Sequence, residues 1–248
     1  MNRRIKQAVR NLIGIAEPYI PGTITHVSTE EPVAALTFDD GPHPVHTPRL
    51  LELLSAYGAR ATFFMVGETA ERHPHVVKQV AAAGHEIGNH SWDHSAFPLL
   101  SGRQQRKQLR DCTRVLAPYG GDKLFRPPYG WDNITTRLDT YLLGYEVVTW
   151  NIAAQDWLDH DGPTMARTVM EKFVPGSIIL FHDTLHTFKD ERYRNREPML
   201  EAVSIILQQL GSAIRFVTVS ELLRSGHPQR TGRYRPVRAE MLAQLKGA

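Results

Sequence analysis

The chain has 248 residues, 42% hydrophobic and 22% charged, ordinary globular usage that excludes a disordered or fibrous protein. No run approaches the roughly 18 uninterrupted apolar residues of a membrane span, and the single cysteine, Cys112, builds neither an internal disulfide nor a cysteine-based metal site. The formal net charge of +3 comes from the two ends, and between them 19 Lys and Arg face 25 Asp and Glu, which argues against a nucleic-acid groove within the fold.

Residues 1–30 read as an N-terminal extension. Arg3, Arg4, Lys6 and Arg10 open it, but the apolar stretch from Leu12 to Ala16 contains Gly14 and stops at Glu17. That is short of the roughly 7–15 apolar residues of a secretory signal. A surface amphipathic helix is the expectation, and a cytoplasmic protein is favoured over a trimmed secreted form.

From 31 to 224 short β-like runs alternate with helical patterns. The strands are expected at 33–39, 60–66, 85–90, 123–127, 145–150, 176–182 and 214–219. The helices are expected at 47–58, 73–84, 103–120, around 132–144, 164–174 and 197–211. Pro48 and Pro198 stand near helix starts, and Gly58, Gly84 and Gly211 just past helix ends. This alternation implies right-handed βαβ units and a mostly parallel sheet. Residues 183–198 read as a polar loop. Residues 225–248 read as a basic tail, carrying Arg230, Arg233, Arg235, Arg238 and Lys246 against Glu240.

Seven such units fit either an open doubly wound sheet or an irregular (β/α) barrel, and the ionisable residues choose between them. Asp39 and Asp40 end the first run, His90 the third, Arg126 the fourth and His182 the sixth, while Asp156 follows the fifth. An open sheet gathers such residues at one switch point. A barrel gathers them from every strand at its C-terminal mouth. The barrel is the expected fold.

Five segments carry the chemistry. In TFDDGP, Thr37 to Pro42, two adjacent carboxylates leave an apolar strand in different directions and can serve two tasks; an Asx-type turn is the structural alternative. In HSWDH, His90 and His94 are four apart, a spacing at which two imidazoles share a cation. Ser91 stands where the zinc-protease helix needs Glu, so that helix is excluded. A surface histidine pair is the structural alternative, but two imidazoles with one strand-end carboxylate have the composition of an open catalytic site rather than a closed structural one. In RPPYG the prolines stiffen a loop that holds Tyr129, and Arg126 is either a salt-bridge partner or part of the site. Asp156 and Trp157 lie in QDW, where the indole is a lid or a platform for a sugar ring. In IILFHD an apolar strand runs into His182, an acid–base candidate at a barrel mouth.

Taken in order and spacing, TFDDGP, HSWDH, RPPYG, QDW and LFH strongly resemble the five motifs of the polysaccharide deacetylases. This is carbohydrate esterase family 4, also called the NodB-homology domain. The resemblance spans roughly residues 33–222 and is most similar to the chitooligosaccharide deacetylases. It implies an irregular (β/α) barrel that removes acetyl groups from N-acetylated amino sugars. Asp39 would be the general base, and Asp40, His90 and His94 the metal ligands. Arg126 would hold Asp39, and Asp156 would tune His182, the general acid. Leu180 and Trp157 would shape the acetyl pocket and sugar groove, with the Tyr129 N–H facing the oxyanion. The expected cation is zinc, with cobalt, nickel, manganese or iron able to substitute. One departure stands out: Ala153 occupies a position where the family often has a further acid. Altered hydrogen bonding or substrate preference is expected there, not loss of activity.

The implied partner is an acetylated carbohydrate. An O-acetyl sugar esterase would use the same machinery. A non-catalytic carbohydrate-binding protein is disfavoured because Asp39 and His182 are both present. A two-histidine, one-carboxylate iron oxygenase shares the ligand types, but it leaves the paired aspartates and the strand-end histidine without a task.

Overall fold

The computed structural model describes residues 20–121, 123–187 and 190–232. The expected amphipathic helix at the start and most of the basic tail fall outside these residues. Ten strands alternate with helices. In chain order they are β1 (Thr23–Ser28), β2 (Val33–Asp39), β3 (Ala61–Met65), β4 (Glu86–Asn89), β5 (Leu124–Phe125), β6 (Glu146–Val147), β7 (Ile152–Ala153), β8 (Ile178–His182), β9 (Arg215–Phe216) and β10 (His227–Thr231). The helices are α1 (His46–Ala56), α2 (Gly67–Arg72), α3 (Pro74–Ala82), α4 (Gly102–Leu116), α5 (Ile134–Leu142), α6 (Gly162–Met170), α7 (Glu197–Leu210) and α8 (Val219–Leu222).

Eight strands form one parallel sheet in the order β6-β5-β4-β3-β2-β8-β7, with β9 paired to the start of β2. The sheet curls into an incomplete barrel. Neighbouring strands β6 and β7 do not pair, and β1 lies at that seam. Its Ile24 carbonyl accepts from Thr149 N–H at 2.8 Å, and its Val27 N–H donates to the Gly176 carbonyl at 2.9 Å.

Strand period decides which residues meet. Leu36, Phe38, Phe63 and Phe181 point outward into the layer beneath the helices, where Phe38 stacks on Phe63 at 5.2 Å and on Phe181 at 6.0 Å. Ala35, Phe64 and Ile178 belong to the separate inner cluster. Register places Thr37 beside Leu180 and Asp39 beside His182, so the inner face turns from apolar to ionisable as each strand reaches its C-terminal end. Gly88 is required inside: a Cβ there would fall 2.5 Å from the Phe64 ring.

The helices seal the outer layer by ordinary sequence logic. A reciprocal capping box between Ser101 and Gln104 starts α4, which buries Gln105, Leu109, Cys112 and Leu116 at helical spacing. Pro198 sits in the first turn of α7, whose Met199, Leu200, Val203, Ile206 and Leu207 face the core. Each of those large side chains contributes roughly 1.5–3 kcal/mol on burial.

Every expected strand holds an observed one, usually trimmed at its ends. Helices α2 and α8 and strand β7 were not anticipated. The flanks read as extension and tail contain β1 and β10, which pair antiparallel from Thr23 opposite Thr231 to Ser28 opposite His227. No helix among the described residues is long and apolar enough to cross a membrane.

Candidate active site

Parallel strands deliver their C-terminal ends to one mouth, and the loops there are strained. Asp40, Ser91, His94, Tyr129 and Gln155 all have positive φ, between 58° and 73°. They follow β2, β4, β5 and β7. Non-glycine residues in this region cost about 1–3 kcal/mol each and persist where the surroundings dictate them.

Asp40 follows β2 with φ 73°. Its Oδ1 lies 3.1 Å from His94 Nε2 and 3.4 Å from His90 Nε2. Among the described residues these three form the one cluster of His, Cys, Asp or Glu whose ligand atoms all lie within 4.8 Å of one another. Asp40 Oδ1 is buried without an aligned hydrogen-bond partner, an arrangement that suits a cation and little else. His90 Nδ1 is 2.8 Å from the Arg126 carbonyl, the outer partner a metal-binding imidazole normally has. Asp40 Oδ2 accepts from the His186 N–H at 2.8 Å. Burial pushes the Asp40 carboxyl up, but the charge of His94 and the approach of both imidazoles outweigh it, holding it well below the usual carboxylate range. Two imidazoles and one carboxylate fit a divalent ion of the zinc type.

Asp39 is gripped from the other side. Its Oδ1 accepts from Arg126 Nη1 at 2.7 Å, and the same nitrogen donates to Thr37 Oγ1 at 2.8 Å. The guanidinium is fully buried. It donates further to the Val148 and Thr149 carbonyls and lies 4.0 Å above the Phe64 ring. Asp39 Oδ2 remains 3.8 Å from His90 Nε2, beside the candidate metal position.

His182 ends β8 opposite Asp39. Its Nδ1 is 2.9 Å from Asp156 Oδ1, and its backbone N–H donates to Asp156 Oδ2 at 2.8 Å. Burial lowers the imidazole's proton affinity, but the Asp156 charge and hydrogen bond reverse that and raise it to about 9. Asp156, although buried, is held below its usual value by His182 and Arg196.

The sequence-derived residues converge. Trp157, 38% exposed, stands edge-on to His182 at 5.5 Å, presenting an indole to solvent at the mouth. The Tyr129 ring lies 4.6 Å from His94 and stacks on Trp131 at 4.7 Å. Leu180, buried on the inner face, pairs with Ala153. Arg196 was missed, although it holds the Asp156 carboxylate and also donates to the Asp156 and His182 carbonyls. Nothing in the sequence separates it from Arg192 and Arg194 in the same loop. Thr47, Asp183 and His186 were not singled out either.

Comparison with known proteins agrees with this geometry. The family profile described as polysaccharide deacetylase matches residues 26–148. A peptidoglycan-N-acetylglucosamine deacetylase from Bacillus cereus is 36% identical over 205 residues, covering 81% of this chain and 92% of its own length. A chitooligosaccharide deacetylase from Sinorhizobium fredii is 34% identical over 167 residues, covering 65% of this chain and 76% of its own. The crystal structure of the Bc1960 peptidoglycan N-acetylglucosamine deacetylase superposes with TM-score 0.75 at 28% identity, covering 86% of this chain and 98% of that one. The fold and site define a NodB-homology barrel. This chain belongs to the polysaccharide deacetylase family.

Proposed function

We propose that the protein is a metal-dependent N-deacetylase that hydrolyses the acetamide of N-acetylated amino sugars in oligosaccharides or polysaccharides and releases acetate. One observation carries this reading: a buried base, Asp39, and a partly buried acid, His182, sit on paired strands beside three converging ligand atoms. The relatives' peptidoglycan and chitooligosaccharide substrates support the choice of an N-acetylated sugar.

Asp40, His90 and His94 would hold the cation, with zinc favoured by the donor set. When bound, the cation would polarise the acetyl carbonyl and make water a stronger nucleophile at neutral pH. Asp39, fixed by Arg126, accepts the proton of the attacking water on Oδ2. His182 has Nδ1 engaged by Asp156, so Nε2 is the nitrogen that gives its proton to the departing amine as the C–N bond breaks. Asp156 keeps the ring protonated and oriented, which a poor leaving group demands. The Trp157 indole gives an apolar face for a sugar ring.

The test is acetate release from chitooligosaccharides, peptidoglycan fragments and acetylxylan, with and without added zinc or cobalt. Release from the N-acetylated substrates is expected. Release from acetylxylan alone would transfer the assignment to an O-acetyl esterase, and none from any substrate would sink it.

A further inference from the structure

Asp183 is a buried carboxyl at the mouth that the reaction above does not use. It follows His182 at the end of β8 and is completely buried. A Cβ built on Gly41 would lie 2.3 Å from its Oδ1 and 2.4 Å from its Oδ2. The carboxyl therefore lies flat against the Gly41 Cα, one residue beyond Asp40, and only glycine permits that approach.

The same group is tied to the loop that follows. Thr47, fully buried in the first turn of α1, donates its hydroxyl hydrogen to Asp183 Oδ2. The Thr47 Oγ1 in turn accepts from the His43 N–H at 2.7 Å, and the Thr47 N–H returns to the His43 carbonyl at 3.2 Å. The path His43–Thr47–Asp183 thus laces the segment after Asp40 to the strand that carries His182. Asp183 Oδ1 has no hydrogen-bond partner, and burial, reinforced by the Asp40 charge, raises this carboxyl to about 7. Its shape and its acceptor oxygen matter here, not a full negative charge.

We infer that Asp183 is a positioning residue: through Gly41 and Thr47 it fixes the Asp39–Asp40–Gly41 turn, and hence the Asp40 ligand, against strand β8. The inference rests on the metal assignment made above. It requires that Asp40 reach its ligand position only when the strained turn is held from beneath.

The experiment measures zinc affinity of the full chain by competition with a chromophoric chelator, and the visible absorption of the cobalt(II)-loaded protein, for wild type, Asp183→Ala, Asp183→Asn and Thr47→Val. Asp183→Asn keeps the volume and the acceptor for Thr47, so its zinc affinity should stay within about twofold of wild type. Asp183→Ala should lose about tenfold or more, the scale on which outer partners of metal ligands act, with an altered cobalt spectrum. Thr47→Val should fall in the same direction. Wild-type affinity in Asp183→Ala, or an equal loss in Asp183→Asn, overturns the inference. If Asp183→Ala fails to fold, Thr47→Val decides: weakened zinc binding beside a normal Asp183→Asn supports the role, and unchanged binding overturns it. Wild type that binds zinc but releases no acetate would sink the deacetylase reading, while the zinc comparison would still judge Asp183.

Discussion

Asp156 holds His182 at two points, ring Nδ1 at 2.9 Å and backbone N–H at 2.8 Å, with one oxygen of the carboxylate for each. Arg196 clamps the carboxylate from behind and also reaches the His182 carbonyl. The imidazole therefore has its orientation and its charge set by one buried partner, which His182 and Arg196 together hold below the usual carboxylate range.

The pH profile should expose this arrangement. His182 acts as an acid only when protonated, so its titration forms the alkaline limb of a bell-shaped profile. The Asp156 carboxylate, with smaller help from Asp40 and Asp39, raises the group from 6.5 to about 9, so activity should persist above the ordinary histidine range. Asp156→Asn removes the charge and should move the alkaline limb to lower pH. An unchanged limb in that variant would mean another group controls it.

Chelation followed by dialysis should abolish turnover, and Asp40→Ala, His90→Ala and His94→Ala should each do the same. The three ligand atoms are the one such cluster among the described residues, so losing any one leaves only two ligands. Zinc content by mass spectrometry, read beside acetate release, checks it. Full turnover by metal-free protein would remove the metal from the reaction.

Asp39→Asn should retain zinc while losing about 10²- to 10⁴-fold in turnover, the usual contribution of a general base. The amide oxygen still accepts from Arg126, so Tm should change little. By contrast, Arg126→Ala strands a buried carboxylate whose guanidinium partner is 2.7 Å away. A loss of about 3–5 kcal/mol in stability is expected, and denaturant unfolding measures it.

The barrel was legible because its central strands bury both faces: β2, β3 and most of β8 are uniformly buried, so they appear in sequence as mostly apolar runs, two of which, β2 and β8, end in an ionisable residue. The flanking pair was not legible. In β10 no residue is buried, and a run such as HPQRT carries no strand signal. Strand β7 has two residues, below what any pattern resolves. At the site, Asp39, His90, Arg126 and His182 could be read because each ends a strand or directly follows one. Arg196 and Asp183 could not: Arg196 reaches Asp156 only where the 183–198 loop folds back onto the mouth, and Asp183 meets Gly41 and Thr47, far away in sequence.

Gly88→Ala tests the interior directly. The new methyl would meet Phe64 at 2.5 Å, and that ring lies 4.0 Å beneath the Arg126 guanidinium. Overpacking should cost about 1–3 kcal/mol, seen as a fall in Tm of roughly 2–4 °C per kcal/mol. A variant as stable as wild type would show that Phe64 has room to move.

The leaving group separates acid catalysis from binding. An acetamide expels an amine, which must gain a proton as the C–N bond breaks. An activated aryl acetate expels an aryloxide, which leaves without one. His182→Ala removes the Nε2 donor but leaves Asp39 on β2 and the three ligand atoms in the loops after β2 and β4, so attack of water remains available. Turnover of the sugar acetamide should fall by about 10²-fold or more, while the aryl ester should lose far less. Measuring wild type and variant on both substrates decides it. Equal losses on the two would mean that His182 positions the acyl group and does not deliver the proton.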